Sequence, residues 1–127
     1  MKRVYLADAQ IDERLAFRIL LQNLKMQVVG EAANWSSVLA QAPATRPDMI
    51  LVEWGLFTAG SGADLLELRR ACPAEVVIVL IGHPVFHEQA TLSAGADAFI
   101  CRGETADRVV ERLRIAVREP VHEYTPG

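Results

Sequence analysis

The chain has 127 residues, 51% of them hydrophobic and 23% charged, which fits one folded domain and excludes a disordered or collagen-like chain. Its formal charge of -3 and pI near 5.6 give no broad basic field, so direct binding to a nucleic-acid duplex is not expected. The longest apolar run, Val76 to Ile81, falls far below the ~18 residues needed to cross a bilayer, and no membrane partner is expected.

Met1-Lys2-Arg3 resembles the start of a secretory leader, but the apolar run that follows ends at Ala7, too short for an export signal. Arg3 to Ala7 reads instead as a strand ending at Asp8. From Ile11, apolar residues recur at Leu15, Ile19 and Leu20, with Phe17, Leu21 and Leu24 broadening the stripe, which predicts a helix with that face inward. Gln27 to Ala33 is a second extended segment, and Asn34 is the expected N-cap of a short helix through Val38, Leu39 and Ala42. Pro43 and Pro47 punctuate the connection that follows, because a residue before proline is pushed out of the helical region.

The third strand, Met49 to Glu53, is wholly apolar until it ends in a carboxylate. A loop from Trp54 to Gly62 leads to a helix over Ala63 to Ala71, with Leu65 and Leu68 inward and Pro73 marking its end. The β-branched run Val76 to Ile81 is the fourth strand, broken by Gly82-His83-Pro84. A fourth helix is expected from about Phe86 to Ala94, with Gly95 as its left-handed terminal residue, and Ala98 to Cys101 is the fifth strand. Thr105 caps the last helix, where Ala106, Val109, Val110, Leu113, Ala116 and Val117 keep one apolar face. Five strands alternating with five helices, most strands apolar on both faces, predict an α/β sandwich: a (βα)5 doubly wound, parallel five-stranded sheet with right-handed crossovers. Residues 2–118 form the expected domain, and 119–127, with Pro120 and Pro126, a tail or the start of a linker.

In an open parallel sheet, ligands gather outside the carboxyl ends of the strands. There the sequence carries Tyr5-Leu-Ala-Asp8, Val29-Gly-Glu-Ala-Ala33, the carboxylate of Glu53 and the turn Cys101-Arg-Gly103, while Arg46-Pro-Asp48 and Ala94-Gly-Ala-Asp97 precede the third and fifth strands. With this set the chain resembles the receiver domain of two-component response regulators, closest to receivers of the helix-turn-helix output class. The resemblance spans roughly residues 2–118. It implies a flavodoxin-like, CheY-like fold and a cytoplasmic signalling role. It also implies a site in which acids after the first and third strands hold Mg2+, and in which the third-strand aspartate takes a phosphoryl group from a histidine kinase. A hydroxyl after the fourth strand and a lysine after the fifth follow the phosphate.

This sequence keeps those positions and changes most of the groups. Asp8 matches the first acid, but Ala9 stands where the second is expected, which removes one oxygen ligand and weakens any Mg2+ site at Asp8 and Glu53. Glu53 stands at the acceptor position, and its extra methylene shifts the carboxylate by roughly 1.5 Å, a displacement that costs ~100-fold in an optimised reaction. Ile81 occupies the hydroxyl position. Arg102 replaces the lysine, exchanging a point cation for a planar fork. Leu56 and Phe57 fall where the family usually shows Met-Pro. The resemblance therefore implies a degenerate, or pseudo-, receiver.

Glu53 and Arg102 are either a direct carboxylate–guanidinium lock or merely neighbours, and Asp8 either helps hold a weak cation or caps the first helix. Phe99 matches the family's switching aromatic, unless it is an ordinary half-buried strand residue. Trp35 and Trp54 are either partner anchors or loop packing. Thr58-Ala-Gly-Ser-Gly62 lacks the lysine and spacing of a P-loop and reads as a turn. His83 and His87 flank Pro84, which disfavours a shared metal-binding face. Cys72 and Cys101 form no close metal or redox motif and read as reduced thiols. No nucleophile–base pair can be assembled, so independent catalysis is not expected.

The function expected from these features is signal transduction by protein–protein contact, independent of phosphorylation. It would use a protein partner or a homodimer through the fourth helix, fifth strand and fifth helix, about His87 to Val117. One alternative is an atypical phosphoacceptor regulating transcription through a missing output domain. Another is a nucleotide- or flavin-binding domain.

Overall fold

A computed structural model describes residues 1–58, 61–74, 76–82 and 95–117, with backbone alone at Ser61, Val76, Ile81 and Val117. Its elements are β1 (Arg3–Ala7), α1 (Ile11–Asn23), β2 (Gln27–Ala32), α2 (Trp35–Thr45), β3 (Met49–Glu53), a 3-10 turn (Trp54–Leu56), α3 (Ser61–Ala71), β4 (Val76–Ile81), β5 (Ala98–Cys101) and α4 (Ala106–Val117). The helix expected over 86–94, with His83 and His87, lies outside the described residues.

The five strands form one parallel sheet in the order β2-β1-β3-β4-β5, so the chain winds one way from β1 and then the other, as expected of a doubly wound fold. The central strands alternate strictly. Val4, Leu6, Met49, Leu51, Ile78 and Leu80 enter a core with Leu21, Val109, Leu113 and Ala116 of α1 and α4. Tyr5, Ala7, Ile50, Val52, Val77 and Val79 enter the opposite core with Trp35, Val38, Ala42, Leu65 and Leu68 of α2 and α3. Burial on both faces explains why these strands read as unbroken apolar runs rather than as alternating ones.

Two expectations about helices need correction. In α1 the stripe Ile11, Leu15 and Ile19 faces solvent, with Ile11 61% exposed, and it is Phe17, Leu20, Leu21 and Leu24 that pack inward. Two apolar faces compete on this helix, and the C-terminal one wins because it lies over the sheet. Helix α2 runs past Pro43 to Thr45 and ends at Arg46 in the left-handed conformation. Proline in its last turn deletes one backbone bond, and the burial of Trp35, Val38 and Ala42 holds the helix through it. Asn34 caps α2 as expected, its side chain accepting from the Ser37 N–H at 2.9 Å.

Asp48 and Asp97 act alike. The Asp48 carboxylate accepts from the Arg3 N–H at 2.9 Å, and the Asp97 carboxylate accepts from the Val77 N–H at 2.7 Å and from Arg69 at 2.8 Å. Each staples the start of its own strand to the start of a neighbour, where the ladder has no further strand residue to offer. Asp97→Ala is expected to destabilise the domain by about 1–2 kcal/mol through the orphaned Val77 N–H; urea unfolding checks this, with a loss under about 0.3 kcal/mol counting against the staple.

Candidate functional site

The carboxyl ends of β1, β3 and β5 converge on four side chains. Asp8 follows β1 and is 5% exposed, and Glu53 ends β3 and is 9% exposed. Glu13 reaches them from the first turn of α1, and Arg102 from the turn after β5. The Arg102 Nη2 donates to Glu53 Oε2 at 2.7 Å and to Glu13 Oε1 at 2.8 Å, while its Nε donates to Glu13 Oε2 at 2.5 Å. The guanidinium thus grips Glu13 with two donors and Glu53 with one, tying the β5 turn to α1 and to β3.

Backbone groups fix the rest. The Ala9 N–H donates to Glu53 Oε1 at 3.2 Å, and the Gln10 N–H donates to Asp8 Oδ1 at 2.9 Å. Asp8 therefore orders the turn into α1, although Gln10, the residue at the N-cap, makes no side-chain cap. Two glycines leave room for the ion pair. A Cβ at Gly55 would sit 3.4 Å from Glu53 Oε2, and one at Gly82 would sit 3.4 Å from Arg102 Nη1.

The charges do not balance. Carboxylate oxygens of Asp8, Glu13 and Glu53 lie within 4.8 Å of one another, against the single positive charge of Arg102. Burial, a hydrogen bond with Glu13 and the nearby charge of Glu53 push the Asp8 carboxyl up from 3.8 to about 7, against the opposing pull of the Gln10 N–H. Glu13 moves the other way, below the ordinary carboxylate range, chiefly because Arg102 donates to it. Arg102 is held more firmly protonated, first by Glu13 and then by Glu53.

The structure thus brings together Asp8, Glu53 and Arg102 of the residues singled out from the sequence. It adds Glu13, which sequence reasoning missed. The signal was present: Glu13 lies one helical turn beyond Ala9, in a helix expected to start at Ile11, so its side chain can return to the place the second acid vacates. Phe99 is half-buried, with the Arg112 guanidinium carbon 4.8 Å over its ring, and Glu104 holds Arg112 in turn at 2.9 Å. Backbone at Ile81 pairs with Cys101, and its side chain lies outside the described residues. Trp35 is 6% exposed and meets the Phe57 ring edge-on at 5.3 Å, so it packs the loop rather than presenting an anchor. Trp54 is partly exposed and contacts Phe57 at 5.9 Å. The Thr58 N–H is taken by Asp64 at 2.6 Å. Cys72 is buried and Cys101 half-buried, both free thiols.

Hard cations take carboxylate oxygens, so the Mg2+ implied by the resemblance can be tested against these residues. They fit in kind: three carboxylates converge, and Oδ2 of Asp8 is buried with no hydrogen-bond donor. Asp8, Glu13 and Glu53 would hold the ion, which would supply neutralising charge at the strand ends.

No protein-family model matches the chain. A receiver domain protein (CheY-like) from Methanospirillum hungatei superposes with a TM-score of 0.81 at 20% identity, covering 98% of this chain and 99% of that one. Among curated proteins, the KDP operon transcriptional regulatory protein KdpE of Escherichia coli is 29% identical over 93% of this chain and 52% of its own length. A protein-glutamate methylesterase/protein-glutamine glutaminase of Pseudomonas fluorescens is 27% identical over 98% of this chain and 34% of its own length. The chain has the fold of a response-regulator receiver (CheY-like) domain. It spans only about a third to a half of the curated relatives it matches. Among the described residues no helix is long and apolar enough to cross a membrane.

Proposed function

We propose that this receiver-fold domain is a cytoplasmic signalling module of the two-component type that acts by protein contact and does not depend on phosphorylation. The observation that carries the proposal is the state of Glu53. Its two oxygens are already engaged, one by Arg102 at 2.7 Å and one by the Ala9 N–H at 3.2 Å. A carboxylate so held is a poor nucleophile, and it already makes the contact to a cation that the resemblance assigns to phosphate and lysine.

The proposed partner is a protein, or a second copy of this chain, using the surface from about His87 to Val117. Within it, β5 and α4 carry the half-buried Phe99 under Arg112 and the exposed Ile115. The acidic balance gives no support to direct nucleic-acid binding. The proposal holds for the domain alone or joined to an output domain, as the names of its curated relatives suggest.

Incubation with acetyl phosphate and Mg2+, followed by intact-mass measurement, is expected to leave the protein unchanged. A gain of one phosphoryl group, mapped to Glu53 or Asp8, would replace this reading with the atypical phosphoacceptor.

A further inference from the structure

The strand-end cluster has one carboxylate that the receiver resemblance does not provide, Glu13, and one buried oxygen that nothing in the protein satisfies, Oδ2 of Asp8. Asp8 is 5% exposed, so water access is slight. Buried polar atoms are nearly always partnered, and an orphaned carboxylate oxygen beside two further carboxylates is the arrangement a cation resolves. Arg102 resolves it only in part. Its donors go to Glu13 and Glu53, and none goes to Asp8.

We infer that Asp8, Glu13 and Glu53 form a divalent-cation site in which Glu13 replaces the ligand lost at Ala9, and that Arg102 is the internal cation a metal ion displaces. The ligand set is oxygen only, which selects hard cations over zinc or copper. The span favours a larger ion. Two Ca–O bonds of 2.3–2.6 Å bridge about 5 Å, matching carboxylate oxygens within 4.8 Å of one another, whereas two Mg–O bonds reach only about 4.2 Å. Ca2+ fits as the side chains stand, and Mg2+ requires them to close in or water to intervene.

Displacement has a structural consequence. Arg102 is the tie between the turn after β5 and both α1 and β3. A cation taking over Glu13 and Glu53 frees that turn, which leads directly into α4, the helix of the proposed partner surface. Cation occupancy is thereby coupled to the β5–α4 face. The metal inference stands apart from the signalling proposal, because cation binding is measured without any partner.

The test is titration of the whole chain with CaCl2, and separately MgCl2, followed by calorimetry and by the fluorescence of Trp54, the neighbour of Glu53. Saturable binding is expected, tighter for Ca2+. Glu13→Gln is expected to weaken it at least tenfold, and Arg102→Met to tighten it at least tenfold, since the competitor is gone. Arg102→Lys, which keeps charge but cannot bridge both glutamates, is expected to lie between wild type and Arg102→Met and covers the case in which Arg102→Met fails to fold. No saturable binding in wild type or Arg102→Lys overturns the site. Binding indifferent to Glu13→Gln overturns the ligand set, and weaker binding in both Arg102 variants overturns displacement.

Discussion

Asp8→Asn is expected to stabilise the domain by about 2–4 kcal/mol at pH 8 and to change it little at pH 4. The Asp8 carboxyl is raised from 3.8 to about 7 by burial, by its hydrogen bond with Glu13 and by the charge of Glu53. A carboxyl whose folded value lies above its unfolded value binds its proton more tightly when folded, so the folded state gains from protonation. That gain is fully present below pH 3.8, falls as pH rises, and is gone above about pH 7. A rise of about three units at 1.36 kcal/mol each sets a ceiling near 4 kcal/mol. Asparagine has no charge to desolvate, and its N–H can donate to Glu13 as the shared proton does. Part of the gain is lost because an amide oxygen accepts less strongly from the Gln10 N–H than a carboxylate does. Urea unfolding at the two pH values checks this. Equal stability of wild type at pH 4 and pH 7, with Asp8→Asn neutral at both, would overturn the assignment.

The same cluster marks the boundary of what the sequence discloses. Strand positions and the parallel sheet were legible because Val4 to Ala7, Met49 to Glu53 and Val76 to Ile81 bury both faces, and two-sided burial leaves an unmistakable apolar run. The strand-end site was legible in part. Asp8, Glu53 and Arg102 follow their strands directly, so topology alone brings them together. Glu13 projects from a helix, and its reach depends on how α1 is rotated over the sheet. That rotation was misread, because Ile11, Leu15 and Ile19 offer as regular a stripe as the residues that pack. Helical period identifies an apolar face but not which of two faces the sheet takes up. The Asp48 and Asp97 staples were visible only as parts of a family resemblance. Their work is local, closing strand starts whose backbone N–H groups lack a ladder partner.

Arg102→Met is expected to destabilise the domain by about 1–3 kcal/mol at pH 8, with the loss shrinking toward pH 4. Methionine keeps an apolar stem of similar length and removes only the guanidinium, so the change isolates charge and hydrogen bonding. Glu13 lies below its ordinary 4.5 chiefly because Arg102 donates to it. A carboxyl lowered in the folded state contributes stability that is present above 4.5 and is lost as pH falls through its folded value. Removing Arg102 removes that contribution, and the loss is greatest where Glu13 and Glu53 are both ionised. Charge-assisted hydrogen bonds contribute about 1.5–3 kcal/mol each when buried. Here the guanidinium side chain is 35% exposed, and solvent screening discounts that figure. Added salt is therefore expected to narrow the gap between Arg102→Met and wild type. Asp8 and Arg102 share Glu13, so the two substitutions cannot be additive. In Asp8→Asn the cluster carries one carboxylate fewer, and Arg102→Met should cost about 1 kcal/mol less there than in wild type. A loss identical at pH 4 and pH 8, or unchanged by Asp8→Asn, would mean that Arg102 acts by packing and that the three acids do not form one electrostatic unit.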